Sequence, residues 1–359
     1  MSSRVYRVAV IGAGSGGKLS MKGAAASSRY ELVAIADLRA EARAVAEAEF
    51  PGIQTFADHR ALLDACELDV VCVSTWPPSH LSITEDALAY GLKGIVVEKP
   101  LGDTYAAGAG VIAAIRQAQV PMGVPHGLLV ADHSRKVLDL VAAGAIGTLK
   151  LVEIECAGWD IINAGIHWLN FALSLLPGDR ATSVIAQCDT STRTYRDGMQ
   201  VETEAATYVT MASGVRLIMH TGDFIPVAER NESTLFRLVG SQGILEFFGW
   251  KPRYRLMNGD YPTGQMVDVP VGPMSAHQRY LEVLADQMDE GTIDLTLGER
   301  SLAALELCEA AYLSSRIHGA VTLPLTSFVP TSTAEWDAGR PYSGSGGGRD
   351  GRRLAELVP

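Results

Sequence analysis

The sequence predicts two domains of different class: an α/β domain over residues 1–125 and an α+β domain with an open, mainly antiparallel sheet over residues 126–326. Its 359 residues exceed what a single hydrophobic core usually serves. Up to about residue 125, apolar runs alternate with alanine-rich segments, as in a parallel sheet covered by helices. From about residue 145, strand-like runs follow one another with few helical segments between them. Residues 327–359 contain a glycine-serine run and are predicted to form a tail, either a mobile arm or a strap over a neighbouring subunit.

The strands of the first domain are predicted from their apolar composition, because parallel strands are covered on both faces. Five runs fit this description: Val5–Ile11, Leu32–Ala36, Val70–Ser74, Ile95–Val97 and Pro121–Val124. Helices are predicted in the alanine-rich segments between them: Ala40–Glu49, Ile83–Ala89 and Ala106–Gln117.

The second domain has six strand-like runs: Leu149–Cys156, Ser183–Cys188, Ala205–Met211, Arg216–Thr221, Leu235–Val239 and Ile244–Phe248. The sequences Ser213-Gly214 and Ser241-Gln242-Gly243 predict turns between antiparallel neighbours. Three helices are predicted to pack on one face of this sheet: Ile166–Leu176, His277–Met288 and Gly298–Ile317.

Bulk properties exclude several classes of partner. The formal net charge of −11 argues against nucleic acid and against an anionic membrane surface. The five cysteines are scattered without metal-ligand spacing, so we expect no metal site and a reducing compartment. No apolar run reaches membrane-spanning length, and the N-terminus lacks a signal-peptide pattern. The predicted location is therefore the cytoplasm.

A glycine-rich turn follows the first strand and predicts a dinucleotide-binding site. Gly12, Gly14 and Gly17 fit the spacing G-x-G-x-x-G, and Ser15 and Gly16 complete the turn. The first glycine permits the turn, the second lets the backbone approach a pyrophosphate, and the third lets helix and strand pack closely. The N-terminal amides of the following helix would then face the phosphates.

Asp37 predicts the choice of cofactor. It ends the second strand, twenty residues after Gly17, where a carboxylate binds the adenosine ribose hydroxyls. NAD is favoured over NADP because this carboxylate would repel a 2′-phosphate, although Arg39 nearby would partly reverse the effect. The stretch Gly12–Lys18 also fits the start of a nucleotide triphosphatase loop, but Leu19 follows in place of the magnesium-binding Ser or Thr.

Two further segments are predicted at the cofactor edge of the sheet. Glu98, Lys99 and Pro100 follow the strand Ile95–Val97 and bring a cation to the carboxyl ends of the strands, where such folds place their chemistry. The loop after Val70–Ser74 is predicted to contact the cofactor through these residues: Ser74, Thr75, Trp76, Pro77 and His80. Local packing of Trp76 and helix capping by His80 are the structural alternatives.

Several segments, taken in order, resemble the glucose–fructose oxidoreductase, inositol dehydrogenase and MocA family over about residues 5–325. They are Val8–Gly17, Ala36–Asp37, Val73–Thr75 with His80, Val97–Leu101, Ala143–Gly147, Gly165–His167, Leu238–Gly243, Leu307–Ser315 and Gly319–Pro324. The resemblance implies a Rossmann domain, an open-sheet domain that builds homodimers or homotetramers, and a carbohydrate or polyol substrate. It also implies that Lys99 lies beside the nicotinamide and is often joined to its proline by a cis bond.

The same resemblance makes His167 the candidate general base, against the alternative of a structural histidine in the core. Asn163 and Asn170 stand where relatives usually have aspartates, and on a regular helix they would share a face with His167. An amide orients an imidazole but stabilises its charged form less than a carboxylate does. Lys99 would then share or take over the proton transfer. Asp160 would replace the missing carboxylate only if the helix started irregularly.

Five residues are predicted to contact substrate: His126, Trp159, Asp160, Asn163 and Asn170. His126 stands where relatives often have an arginine, and Trp159 is a candidate platform for a sugar ring. The leading hypothesis is an NAD-dependent dehydrogenase that oxidises a secondary alcohol of a sugar, inositol or polyol, with Lys99, His167 and Asn163 as catalytic residues. One alternative keeps NAD bound and uses transient oxidation for elimination, hydrolysis or epimerisation. Another is a dinucleotide-binding regulator without turnover.

Overall fold

The computed structural model describes residues 4–191, 194–326 and 337–340. Within them the chain divides into two compact units. The first contains residues up to Gly127 together with Pro273–Leu302, and the second contains Leu128–Gly272 and the described residues from Ala303 onward.

The first unit contains a six-stranded parallel sheet with intervening helices, which confirms the predicted α/β Rossmann domain. Its elements are β1 (Tyr6–Ile11), α1 (Ser15–Ala25), β2 (Tyr30–Ala36), α2 (Ala40–Glu49), β3 (Gln54–Phe56), α3 (His59–Ala65), β4 (Val70–Val73), α4 (His80–Leu88), β5 (Gly94–Val97), α5 (Tyr105–Ala118) and β6 (Met122–Gly123). The strand order is β3-β2-β1-β4-β5-β6, and every pair is parallel. This order reverses direction beside β1, so the loops after β1 and β4 meet where such folds bind ligands.

The second unit contains a nine-stranded, mainly antiparallel sheet, as predicted. Its elements and those that follow are α6 (Gly127–Val130), α7 (Asp132–Ala142), β7 (Leu149–Ala157), α8 (Ile166–Ser174), β8 (Ala181–Asp189), β9 (Thr194–Arg196), β10 (Met199–Val201), β11 (Glu204–Met211), β12 (Arg216–Gly222), β13 (Thr234–Gly240), β14 (Gly243–Phe247), β15 (Arg253–Asn258), β16 (Gln265–Asp268), α9 (Ala276–Glu290), α10 (Thr296–Ile317) and β17 (Val321–Thr322). The large sheet has the order β16-β15-β14-β13-β7-β12-β11-β8-β17, in which the β7–β12 pair is parallel.

Helix α9 belongs to the first unit, whereas the sequence places it in the second domain. Its buried face carries Tyr280, Leu281 and Leu284, and Leu281 accepts a hydrogen bond from the Tyr30 hydroxyl at 2.6 Å. A Cβ on Gly23 of α1 would lie 2.8 Å from the backbone nitrogen of Gln278, so the two helices are in close contact. The buried face of α9 thus packs against α1 and other residues of the first unit.

Aromatic residues form the core between α8 and the second sheet. Phe236 and Phe247 are paired across β13 and β14, and their rings stack at 4.3 Å. Phe171 meets Phe247 edge-on at 4.8 Å, and Trp168 meets Phe236 at 5.4 Å. This core fixes α8 and therefore the position of His167, which lies on it.

Most of the predicted tail lies outside the described residues. The short stretch 337–340 pairs with Gln200 of β10 through two backbone hydrogen bonds, from Gln200 to Arg340 and from Gly339 to Gln200. Among the residues that the structure describes, no helix combines the length and apolarity needed to cross a bilayer.

Candidate functional site

The three glycines of the turn after β1 occupy different environments. Gly12 has φ +97°, and a Cβ on it would lie 2.4 Å from the Ser74 carbonyl oxygen. A Cβ on Gly17 would lie 1.8 Å from the Gly12 oxygen, so this position packs helix against turn. Gly14 has open space where its Cβ would be. The turn therefore fits a dinucleotide, because Gly14 leaves room for the close approach of a phosphate.

Helix α1 begins at Ser15, four residues after β1 ends at Ile11. No side chain caps this end, and its first turn contains no acidic residue. The partial positive charge of a helix N-terminus favours an anion at such a position. Gly16 lies beside Glu98, since a Cβ there would be 3.0 Å from the Glu98 Oε1 atom.

Asp37 lies at the end of β2 and is tied both to the glycine turn and to Arg39. Its Oδ2 atom accepts a hydrogen bond from the Ala13 backbone N–H at 2.8 Å. The Arg39 guanidinium donates to both carboxylate oxygens at 3.0 Å, and the Arg39 backbone N–H donates at 2.9 Å. Burial by itself would raise the pKa of Asp37, but these hydrogen bonds outweigh it and lower that pKa. The carboxylate is therefore charged near neutral pH, and it partly neutralises Arg39.

The loop after β4 is adjacent to the glycine turn. The Ser74 backbone N–H donates to Ile11 at 2.7 Å, and Ser79 donates to the Thr75 hydroxyl at 2.8 Å. Trp76 is half-exposed, whereas Pro77 is buried. The Trp76 indole is thus accessible beside the predicted cofactor edge. The loop itself is held in place by the Ser74 hydrogen bond and by buried Pro77.

His80 is fully buried and connects two segments of this edge. Its Nε2 atom lies 2.9 Å from the Thr75 carbonyl oxygen, and its Nδ1 atom lies 2.9 Å from the Pro100 carbonyl oxygen. Burial lowers the pKa of His80. His80 is therefore placed to hold the Thr75 loop against the turn that contains Lys99.

The segment Glu98-Lys99-Pro100 follows β5 directly, and its Lys99–Pro100 bond is cis, as the family resemblance implies. Glu98 is buried, and its Oε1 atom lies 2.9 Å from the Nε2 atom of His277 on α9. Its Oε2 atom accepts the Lys99 backbone N–H at 3.3 Å. His277 therefore links α9 to the Lys99 turn through Glu98.

His126 follows β6 and lies near Lys99. Its Nε2 atom is 2.7 Å from the Ser301 hydroxyl, and its carbonyl accepts a hydrogen bond from Tyr280 at 2.7 Å. Burial, together with the charges of Lys99 and Arg300, lowers the pKa of His126 to about 3. The His126 imidazole is therefore neutral near neutral pH.

In the second unit, His167 is distinguished from its neighbours by exposure. Every residue from Asp160 to Leu173 is buried except His167, which is partly exposed. Asn170 lies three residues further along α8 and is fully buried, and neither of its side-chain amide atoms has a hydrogen-bond partner among the described residues. A buried amide without partners costs about 1–3 kcal/mol, so this amide fits a water molecule or a substrate hydroxyl.

The segment before His167 is not a regular helix, so the condition for Asn163 to share a helical face with His167 is not met. Residues Ile161–Gly165 form one π-helical turn, here called the π turn, in which the Gly165 N–H donates to the Asp160 carbonyl at 3.0 Å. Asp160 caps this turn, because its Oδ1 atom accepts both the backbone N–H and the side-chain amide of Asn163, at 2.8 and 2.9 Å. The wider turn changes the angular position of Asn163 relative to His167, and the Asn163 amide points to Asp160.

Asp160 and Trp159 share a partner, Arg196 of β9, which the sequence analysis did not find. The Arg196 Nη1 atom lies 3.1 Å from the buried Asp160 carboxylate, and the guanidinium carbon lies 4.2 Å from the centre of the Trp159 ring. One face of the Trp159 indole is therefore covered. The helix start is irregular, as Asp160 would need in order to replace the missing carboxylate beside His167. The Asp160 carboxylate, however, contacts Arg196 and Asn163.

Two other residues next to the His167 segment also escaped the sequence analysis. Glu202 is buried and accepts hydrogen bonds from the Ile161 N–H and the Tyr312 hydroxyl, both at 2.7 Å. Trp250 follows β14, and its ring centre lies 5.6 Å from that of His167 at an interplanar angle of 81°. Both residues lie far from His167 in sequence. From the sequence, Trp250 could be noticed only as an aromatic residue that follows a predicted strand of the second domain.

The first unit matches a family model over residues 6–126, described as an oxidoreductase family with an NAD-binding Rossmann fold. Over these residues the chain is similar to the Gfo/Idh/MocA oxidoreductase family. In the part of the chain that the structure describes, no group of three or more His, Cys, Asp or Glu residues is arranged to hold a metal ion.

Curated relatives include the rhizopine catabolism protein MocA of Rhizobium meliloti, 29% identical over 155 residues, or 43% of this chain and 47% of that protein. The chain thus spans about half the length of this first relative. D-apiose dehydrogenase of Paraburkholderia graminis is 26% identical over 312 residues, or 80% of this chain and 81% of that protein. Among solved structures, levoglucosan dehydrogenase in complex with NADH and L-sorbose superposes with a TM-score of 0.77 at 17% identity, over 89% of this chain and 99% of that one. That similarity supports the fold.

Proposed function

We propose that this protein is an NAD-dependent dehydrogenase that oxidises a secondary alcohol of a sugar, inositol or related polyol. The observation that carries the proposal lies in the first unit. There the open space at Gly14, the Asp37 carboxylate and the Lys99 turn all follow carboxyl ends of one parallel sheet. Parallel α/β sheets bind their ligands at this edge.

The glycine turn and Asp37 would hold the dinucleotide. The α1 N-terminus favours the pyrophosphate, and Asp37 would accept hydrogen bonds from the adenosine ribose hydroxyls. NAD, when bound, supplies the acceptor for the hydride that leaves the substrate carbon. Because the Asp37 carboxylate is charged and already engages Arg39, we propose NAD rather than NADP.

The protein must take up the hydroxyl proton of the substrate. Lys99 would hydrogen-bond to the reacting oxygen and stabilise negative charge on it as the proton leaves. His167 is the proposed general base, since an imidazole accepts a proton near neutral pH and this residue is exposed within a buried segment. Asn170 would bind a neighbouring hydroxyl, whereas Asn163 stabilises the π turn through Asp160.

The test is a panel of cyclic sugars, inositols and linear polyols, assayed by the absorbance of reduced cofactor with NAD and NADP in parallel. We expect NADH formation with at least one substrate and its loss in Lys99→Ala. The control Lys22→Ala removes an exposed lysine that pairs with Glu49 and should retain activity. A converted substrate without net NADH would indicate transient oxidation, and cofactor binding without any product would indicate a regulator. The cytoplasmic location and the homodimeric or homotetrameric state stay predictions.

A further inference from the structure

Trp250 is an exposed tryptophan in contact with the proposed base. Trp250 is 54% exposed, although Phe247 and Phe248, which precede it by three and two residues, are buried. Large aromatic side chains are usually covered, and exposed ones beside a functional residue are typical of ligand contacts. The indole contacts His167 at 5.6 Å and the buried Trp168 at 5.7 Å. One side of the ring is thus anchored, while about half of the residue is accessible.

The backbone before Trp250 is held in one conformation. Gly249 has φ +56°, and a Cβ there would lie 2.9 Å from the Thr234 side chain, so the turn requires glycine. Buried His133 lies with its Nε2 atom 2.7 Å from the Gly249 carbonyl oxygen. Burial lowers the pKa of His133, and a carbonyl only accepts, so the neutral ring carries its proton on Nε2 and donates it here. The indole is therefore oriented before any ligand arrives.

The chemistry of this pair fits a ring-shaped polyol. One face of a pyranose or cyclitol presents mainly C–H groups, which pack on the face of an indole through apolar contact and its negative quadrupole. The hydroxyls at the rim of such a ring remain free to hydrogen-bond to the adjacent imidazole. Trp159, the platform that the sequence predicts, already has one face covered by Arg196 at 4.2 Å.

We propose that Trp250 is the substrate platform of this enzyme and selects cyclic sugars or cyclitols over open-chain polyols. This inference rests on the proposed function and adds a specificity-determining residue to it. A linear polyol bends away from a flat surface and covers less of the indole, so it gains less from the contact. Trp250 acts by binding the carbon skeleton, and His167 by accepting the proton.

The experiment compares wild type, Trp250→Ala and Trp250→Phe on the best cyclic and the best linear substrate of the panel. Trp250→Ala should raise KM for the cyclic substrate by roughly ten- to a hundred-fold, with a smaller change in kcat, because aromatic packing and apolar burial are lost. Trp250→Phe should raise it by only a few-fold, and KM for the linear substrate should change little. Phe224→Ala removes another exposed aromatic residue of the second unit and should leave all values unchanged.

Calorimetry with myo-inositol and D-glucitol separates this inference from the proposed function. If the wild type is active and Trp250→Ala leaves its KM values unchanged, the platform is overturned but the dehydrogenase is not. The same holds if Trp250→Ala changes only the oligomeric state, as seen in gel filtration. A wild type that binds myo-inositol without oxidising any substrate would overturn the dehydrogenase; loss of that binding in Trp250→Ala would still support the platform. Absence of both binding and oxidation would overturn both.

Discussion

Replacing Asp37 by Asn tests the cofactor assignment with little structural change. The asparagine Oδ1 atom can still accept the Ala13 N–H that Asp37 accepts at 2.8 Å, so the glycine turn keeps its tie to β2. What changes is charge: the carboxylate that holds Arg39 through two guanidinium hydrogen bonds becomes neutral. Arg39 is then freed to meet an anion.

Two contributions set the size of the effect. A hydrogen bond to a charged group contributes about 1 kcal/mol more than one to a neutral group, so binding of the ribose hydroxyls of NAD should weaken about five-fold. Repulsion between a carboxylate and a doubly charged phosphate at roughly 5 Å is about 2 kcal/mol in a water-like dielectric, and its removal should strengthen NADP binding. Together they give about 3 kcal/mol, or a change of about a hundred-fold in the ratio of NADP to NAD affinity.

The assay is the dissociation constant of each cofactor, measured by calorimetry on wild type and Asp37→Asn at low ionic strength. The control Glu31→Gln removes an exposed carboxylate from β2 and should leave the ratio unchanged. A ratio that moves less than three-fold in Asp37→Asn, or a parallel loss of both affinities, would refute the assigned role. In that case Asp37 would serve only to fasten the turn.

Three further predictions follow from the same geometry. Gly17→Ala places a Cβ 1.8 Å from the Gly12 oxygen and should lower the melting temperature by several degrees, whereas Gly14→Ala meets open space and should keep the melting temperature but lose NAD affinity, both measured by thermal shift and calorimetry. Lys99→Ala should lower kcat by about 10³ and change the NAD dissociation constant by less than three-fold, as read from steady-state kinetics and calorimetry. Burial and then the charge of the neighbouring aspartate raise the pKa of Glu202 to about 7. The protonated form is therefore favoured by folding, so stability that is present below pH 4.5 is lost as pH rises through 7, and Glu202→Gln should flatten this slope in urea unfolding.

The fold was predictable where local pattern and tertiary environment agree. Covered parallel strands are continuous apolar runs, and the alanine-rich helix Ala40–Glu49 has the predicted bounds. Strand β3 was missed because it is a three-residue edge strand, Gln54–Phe56, with no apolar pattern. The packing of α9 on the first unit could not be predicted, because an amphipathic face shows that a helix is buried but not against which sheet.

Within the candidate site, too, residues in local motifs could be predicted from the sequence, whereas contacts between distant segments could not. Gly12, Asp37 and Lys99 could be predicted as candidates because they belong to short motifs placed directly after strands. The surroundings of His167 were missed because Arg196 and Trp250 come from distant segments and carry no motif. Periodicity also gave no warning of the π turn, since the carboxylate that caps it reaches across only three residues and competes with a regular helical start.

The charge around the π turn bears on how the proton transfer is shared. The family resemblance implies an aspartate four residues before the histidine, and this chain has Asn163 there and a carboxylate at Asp160. That carboxylate is held by Arg196 at 3.1 Å, so its negative charge is largely compensated and contributes little to stabilising a protonated His167. We therefore expect His167→Ala to lower kcat less than Lys99→Ala, as measured by steady-state kinetics near neutral pH. Equal losses in the two alanine variants would show that His167 obtains its base strength from another group.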